Sequence, residues 1–216
     1  MAIDKQRGKR VTKGKGVQMK RSQRTFYSAV LMLIPGAKRR TEFMKRHHLY
    51  GAIGKNCSIQ KRKLPLYSNL VFLHDNVKIA SNVGFVTHDI IHTMLNTKYT
   101  GGGYTERVGC IEVMDNVFIG SGTRILYNTR IGSNVIIGSD SLVNKDIPDN
   151  SVYAGVPARY ICSFDEYVEK AKQYSLDFKK TYGIGKLRGV DDRLAAQMYG
   201  NFKRERENGK KGIKKE

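Results

Sequence analysis

Residues 113–147 read VMDNVFIGSGTRILYNTRIGSNVIIGSDSLVNKDI. Steps of six from Val113 land on Ile119, Ile125, Ile131, Ile137 and Val143, all β-branched aliphatics. In the same rhythm stand Val117, Thr123, Thr129, Val135, Ser141 and Ile147, mostly small or β-branched, and Gly follows the aliphatic at Gly120, Gly132 and Gly138. An α-helix buries residues at spacings of three and four, so it cannot bury one residue in six. A short strand closed by a tight turn can. The aliphatic points inward, the smaller residue fills the corner, and Gly or Asn permits positive φ at the turn.

The pattern extends upstream. Leu73, Ile79 and Phe85 are six apart, with Val77 and Val83 at the small position, and Ile53 and Ile59 form a shorter pair with Cys57 in phase. The phase breaks twice: Ile59 to Leu73 is 14 residues and Phe85 to Val113 is 28, and neither is a multiple of six. A break means that the chain leaves the repeat. Residues 86–111 are therefore predicted to form a protruding loop, and long excursions from rigid scaffolds often carry function. Three hexads would complete one coil of a triangular parallel β-helix, with successive coils about 4.8 Å apart. The period does not fix the hand, and the general rule for parallel crossovers favours the right hand.

The 216 residues suit one domain with appendages. Thirty-nine Lys/Arg against 19 Asp/Glu give a net charge of +20, a balance that points to nucleic acid, an anionic membrane or a phosphorylated ligand. Much of it sits at the ends: residues 1–25 hold nine Lys/Arg and one acid, and residues 201–216 hold seven and three. These tails suggest an anionic membrane surface as partner; they lack the basic-aromatic interleaving of nucleic-acid modules, so nucleic acid is not expected. Three widely spaced cysteines without a CxxC argue against a disulfide framework or a zinc knuckle, and for a reducing, cytoplasmic setting, peripheral to the inner face of the membrane if the tails bind it. The longest apolar run, Ala29 to Ile34, is far below the roughly 20 residues of a membrane span. The organisation read from these features is a basic tail over 1–24, a helical segment over 25–50 split by Pro35-Gly36, the repeat domain over 51–162, and C-terminal helices with a basic tail over 163–216. Ser163 and Glu166 read as a capping box opening a helix over 164–180, and a further short helix is predicted over 191–199.

The stretch from Asp115 to Ile161, together with NVKIASNVGFVTHD (Asn76 to Asp89), resembles the hexapeptide-repeat acyltransferases, in particular the galactoside and maltose O-acetyltransferases and the enzymes that acetylate capsular or lipopolysaccharide sugars. The likeness covers roughly residues 50–165, and NKDIPDNSVYAGVPAR (Asn144 to Arg159) is its most specific part. It implies a mainly β fold, a left-handed parallel β-helix with N- and C-terminal helices, a homotrimer, and acetyl-CoA as co-substrate with no metal. The implied reaction is acetyl transfer to a hydroxyl of a sugar or glycoconjugate acceptor in surface polysaccharide synthesis.

Acyl transfer from a thioester needs a base for the hydroxyl proton, and imidazole titrates near neutrality. His88, in FVTHD where the repeat ends and the loop starts, is the best base in the sequence, and the resemblance gives a His at that place the same role. Ser121 and Ser139 match turn positions whose backbone meets the pantetheine arm of coenzyme A in the family. Asn144 and Lys145 match a Thr-Lys pair near the adenine nucleotide, with Asn departing from Thr, and Arg159 matches a basic residue near the phosphates. His92 is a possible acceptor contact and His74 a turn residue. Three alternatives stay open: N-acyl transfer to an amino sugar, a γ-carbonic-anhydrase-like trimer binding zinc through three His, and a binding-only trimer. Zinc would need His88 and His92 on one helical face. The Gly101-Gly102-Gly103 run lacks the Lys-Ser/Thr of a P-loop and reads as a lid.

Overall fold

The computed structural model describes residues 19–207. The tail sequences over 1–18 and 208–216 lie outside the described residues. The chain divides into two compact units, residues 1–167 and 168–216. In the first, α1 (Arg21–Leu33) and α2 (Ala37–Arg46) flank Pro35-Gly36, as the sequence predicts. Helix α1 starts inside the stretch read as tail, because the Gln23 side chain accepts a bond from the Lys20 backbone N–H at 3.0 Å and closes the first turn.

Short strands follow: β1 (Ala52–Ile53), β2 (Ser58–Ile59), β3 (Val71–Leu73), β4 (Lys78–Ile79) and β5 (Gly84–Val86). The excursion holds β6 (His88–Asp89), α3 (Ile91–Lys98) and β7 (Arg107–Val108). The repeat resumes with β8 (Ile111–Val113), β9 (Val117–Ile119), β10 (Arg124–Leu126), β11 (Thr129–Ile131), β12 (Val135–Ile137) and β13 (Leu142–Val143), and closes with β14 (Ser151–Ala154) and β15 (Arg159–Ser163). The eight-residue helix α3 was not legible in the sequence.

These strands form three parallel sheets that the chain visits in turn: β1-β3-β8-β11, then β2-β4-β9-β12-β14, then β5-β10-β13, with β15 added antiparallel to β14. In the regular part the paired residues are 18 apart, three hexads per circuit: Ile111 with Thr129, Val117 with Val135, Arg124 with Leu142. Across the excursion the offset is 40 (Val71 with Ile111, Gly84 with Arg124), and between the first two circuits it is 20 (Ala52 with Phe72). The two phase breaks of the sequence are these two insertions.

All six aliphatics from Val113 to Val143 are buried, as are the six smaller residues from Val117 to Ile147. Stacked in register, the aliphatics among them form one continuous core with Leu73, Ile79 and Phe85, which Leu31 of α1 and Met44 of α2 join. The turn chemistry agrees with Gly or Asn at the corners and locates the positive φ. Positive φ falls not on the Gly after each aliphatic but on the residue just before each small position: Asn76, Asn82, Asn116, Gly122, Asn128, Asn134, Asp140 and Asn150. Gly120 serves a different need. A Cβ there would stand 2.5 Å from the backbone N of Ser139 in the next circuit, so Gly permits the close stacking of two corners. At the corner between the first and second sheets the αL asparagines bond to one another, Asn76 to Asn116 at 2.9 Å, Asn116 to Asn134 at 3.0 Å and Asn134 to Asn150 at 2.8 Å.

Ser163 and Glu166 form the predicted capping box, Glu166 accepting from the Ser163 N–H at 2.8 Å and donating its own N–H to Ser163 Oγ at 3.1 Å. Helix α4 (Phe164–Tyr182) follows. In the second unit, α5 (Asp192–Glu207) runs well past Tyr199, where the sequence reading stopped, and its first turn is capped by Asp191 Oδ1 accepting from the Leu194 N–H at 2.8 Å. Among the described residues no helix is long and apolar enough to cross a membrane.

Candidate active site

The excursion leaves the edge between the third and first sheets. Phe85 and Thr87 are buried, and the Thr87 carbonyl accepts from the Gly109 N–H at 3.0 Å, so the two ends of the loop are joined at its base. One step further, β6 and β7 pair antiparallel, His88 opposite Val108 and Asp89 opposite Arg107. His88 therefore stands on ordered backbone at the point where the rigid scaffold gives way to the loop.

The His88 ring is half-buried. Its Nδ1 is buried and has no hydrogen-bond partner among the described residues. The Tyr67 ring meets it edge-on, with centroids 5.2 Å apart and planes at 79°. Tyr67 in turn donates its hydroxyl to Glu106 Oε2 at 2.9 Å, and that bond to a carboxylate raises the Tyr67 pKa. Asp89 accepts from the Tyr127 hydroxyl at 2.8 Å and from the Ile91 N–H at 3.1 Å. The Tyr127 bond is the chief reason its carboxyl sits below the usual aspartate range. Tyr127 belongs to the next circuit, so it ties the root of the loop to the scaffold.

No role at the site was read from the sequence for Tyr67, Glu106, Asp89 or Tyr127. Tyr67, Glu106 and Tyr127 lie 21, 18 and 39 residues from His88, with no local spacing to link them to it, and Asp89 is its neighbour in sequence. The phase break near Phe85 was the one available signal that side chains from distant segments converge here.

His92 lies in α3 while His88 lies in β6, so the two do not share a helical face. His92 lines a cavity of about 310 Å³ inside the excursion with Asp89, Tyr104 and Arg107. Its Nδ1 is buried and unpartnered within the described residues. His74, just past β3, is engaged elsewhere: its Nε2 lies 2.9 Å from Glu112 Oε1, and Arg130 Nε donates to Glu112 Oε2 at 2.8 Å. Burial would raise the Glu112 pKa, but the two bonds outweigh it and lower it. Among the described residues no three His, Cys, Asp or Glu are grouped so as to hold a metal ion.

The remaining predicted residues fall on two edges. Asn144 and Lys145, both exposed, turn the chain after β13, at the same edge as Tyr127-Asn128 and the root of the excursion. Ser121 and Ser139 are exposed at the corner between the second and third sheets, one above the other, the Ser121 carbonyl accepting from the Asp140 N–H at 2.8 Å. Arg159, exposed, starts β15 opposite Ala154, whose strand ends at that same corner. Within one chain, His88 and Lys145 share one edge and the two serines and Arg159 share another. The third sheet stands between, its longest strands spanning about 10 Å.

The family described as "Bacterial transferase hexapeptide (six repeats)" matches residues 111–145. Galactoside O-acetyltransferase of Lactococcus lactis is 29% identical over 177 residues, covering 70% of this chain and 75% of that protein. Protein CapG of Staphylococcus aureus is 32% identical over 146 residues, covering 63% and 83%. Among solved structures, a maltose O-acetyltransferase from Clostridium difficile 630 superposes with a TM-score of 0.48 at 26% identity, covering 66% of this chain and 86% of that one. The 18-residue circuit, the hexad core, the six-repeat match and the extent of the likeness to CapG establish that this chain belongs to the hexapeptide-repeat acyltransferase family.

Proposed function

We propose that the protein transfers the acetyl group of acetyl-CoA to a hydroxyl of a sugar or glycoconjugate, with His88 as general base, in the making of a surface polysaccharide. The observation that carries the proposal is the placement of His88, an imidazole whose Nδ1 has no hydrogen-bond partner among the described residues, held at the mouth of the excursion on paired backbone. The hydroxyl oxygen forms a bond to the thioester carbon while His88 takes its proton, the C–S bond breaks, and the proton passes to the departing thiolate. Transfer is direct, with no acyl-enzyme. Family membership supports the donor, and the name of the Lactococcus relative supports a sugar hydroxyl as acceptor.

Coenzyme A suits the residues present. Lys145 and Arg159 are exposed cations for its phosphates. Ser121 and Ser139 are exposed one above the other at a corner whose close stacking Gly120 permits, and the pantetheine arm would lie along it. Because these groups occupy two edges of one chain, we place the site between neighbours of a homotrimer of left-handed parallel β-helices. The His88 edge of one subunit would face the serine edge of the next.

The test is mass spectrometry of reactions containing the full chain, acetyl-CoA and a panel of galactosides, maltose and amino sugars. An acetyl ester on a sugar hydroxyl is the expected product. Acetylation confined to the amino group would replace O-transfer with N-transfer, and no product with any acceptor alongside unspent acetyl-CoA would overturn the proposal.

A further inference from the structure

Helix α1 is apolar on two faces. Its inner face is accounted for: Leu31 is fully buried in the core, and Tyr27 packs against that core with Ile34, just past the helix end. Its outer face carries Phe26, Met32 and Leu33, which are 64%, 49% and 83% exposed, with the exposed Ala29 between them. A surface helix ordinarily turns polar residues outward, and large apolar side chains exposed side by side mark a contact.

The end of the helix is held from below. Arg62 donates to the Met32 carbonyl at 2.6 Å and Arg40 to the Ile34 carbonyl at 3.0 Å. Two guanidiniums thus take up carbonyls that the last turn leaves open, and the segment bearing Met32 and Leu33 is fixed in place.

The surroundings of this face are basic. Between residues 19 and 46 the sequence has eight Lys/Arg and one acid, Glu42. Arg21, Lys38, Arg39 and Lys63 are exposed near or beyond the ends of α1. A groove of about 480 Å³ runs beside the helix. Arg24 and Lys63 supply its cations, Thr25 and Ser28 its hydroxyls, and Met32 and Leu64 its apolar surface.

We infer that α1 docks on an anionic phospholipid surface, lying in the interface with Phe26, Met32 and Leu33 in the acyl boundary and the surrounding Lys/Arg on the headgroup phosphates. Charge decides among the occupants. A second copy docked through this same face would set the same cations against one another. A nucleic acid would satisfy the cations but leave Leu33 and Met32 with nothing to bury against. An anionic bilayer satisfies both, the combination that holds basic amphipathic helices at membranes. This surface is independent of the acetyl-transfer reading and carries no part of its chemistry.

The test uses the full chain with vesicles of phosphatidylglycerol and phosphatidylcholine in equal parts, against phosphatidylcholine alone. Co-sedimentation should show binding to the anionic vesicles that weakens with salt. Phe26→Ser with Leu33→Ser leaves every charge in place and should lower the partition coefficient about tenfold or more, since both side chains forfeit burial in the acyl region. The natural chain has no Trp, so Leu33→Trp provides a single reporter. Its emission should shift to the blue on anionic vesicles and resist aqueous quenchers. The inference is overturned if the natural chain ignores anionic vesicles, if the double variant binds them as the natural chain does, or if the Trp emission does not move. It is also overturned if the double variant changes the particle mass in light scattering, which would make this face a contact between subunits.

Discussion

Replacing His88 by Ala separates chemistry from folding, because the structure gives the ring little structural work. No hydrogen bond reaches it from the described residues, so its removal leaves no partner unsatisfied. What is lost is the edge-on contact with Tyr67 at 5.2 Å, worth about 0.5–1.5 kcal/mol beyond simple burial. The catalytic loss should be larger. General-base help is typically about 10²–10⁴-fold in rate, which is roughly 3–5 kcal/mol of barrier. His88→Ala should therefore lower kcat by two to four orders of magnitude while stability falls by only about 1 kcal/mol. The assay follows free thiol released from acetyl-CoA in the presence of an accepted sugar, with thermal melting and light scattering on the same preparation. Binding of acetyl-CoA should persist, since Lys145, Arg159 and the serine corner are untouched. His92→Ala, altering a side chain inside the excursion cavity, should cost much less. The reasoning is refuted if His88→Ala retains near-natural kcat, or if the loss of activity is matched by loss of the assembled particle.

Three further outcomes are expected. Light scattering should give about three times the 24.4 kDa chain mass, and a monomer at micromolar concentration would remove the shared-site arrangement. Asn116 both accepts from Asn76 and donates to Asn134 at φ 59°. Asn116→Ala should therefore lose roughly 2–4 kcal/mol in urea unfolding at fixed protein concentration, and Asn116→Gly about 1 kcal/mol less, because Gly removes only the αL penalty. Equal losses would show that backbone conformation is not the issue there. Asp89 is held below its ordinary value of 3.8, first by the Tyr127 hydroxyl. A depressed carboxylate adds stability above its unfolded-state value and loses it as the pH falls through the folded one, so Tyr127→Phe should flatten the acid-side decline below about pH 4. An unchanged acid limb would count against the bond.

The legibility of this chain follows from the physics of its repeat. Burial of one residue in six leaves a trace in every hexad, so Val113 to Val143 announced both the strands and the core. The 28-residue step from Phe85 to Val113 likewise marked the excursion. The helix inside it left no such trace: Ile91–Lys98 is eight residues long with none buried, so no apolar stripe was selected. The asparagine corners were half-legible. Asn was expected at turns, but which residue takes positive φ depends on where the corner falls relative to the inward aliphatic, and the period alone does not say. The contacts that shape the His88 surroundings, such as Asp89 with Tyr127, depend on stacking across circuits, and only the register of β5 on β10 brings those residues together.

That register also bears on the place proposed for the chemistry. Val71 pairs with Ile111 and Gly84 with Arg124 at one common offset of 40 residues, so the strands on either side of the excursion stack as if it were absent. The loop is closed at its root by the Thr87 carbonyl and the Gly109 N–H, and ordering a longer loop between fixed ends costs little more than ordering a short one. Residues within the hexads are constrained at most positions by core, corner or strand. Residues 90–106, beyond the paired strands β6 and β7, are free of that constraint, so the loop beside His88 and Asp89 can vary without disturbing a single buried aliphatic. A scaffold with this property accommodates different acceptors by changing the loop alone. Exchange of residues 90–106 should consequently alter acceptor choice while leaving unfolding of the repeat nearly unchanged.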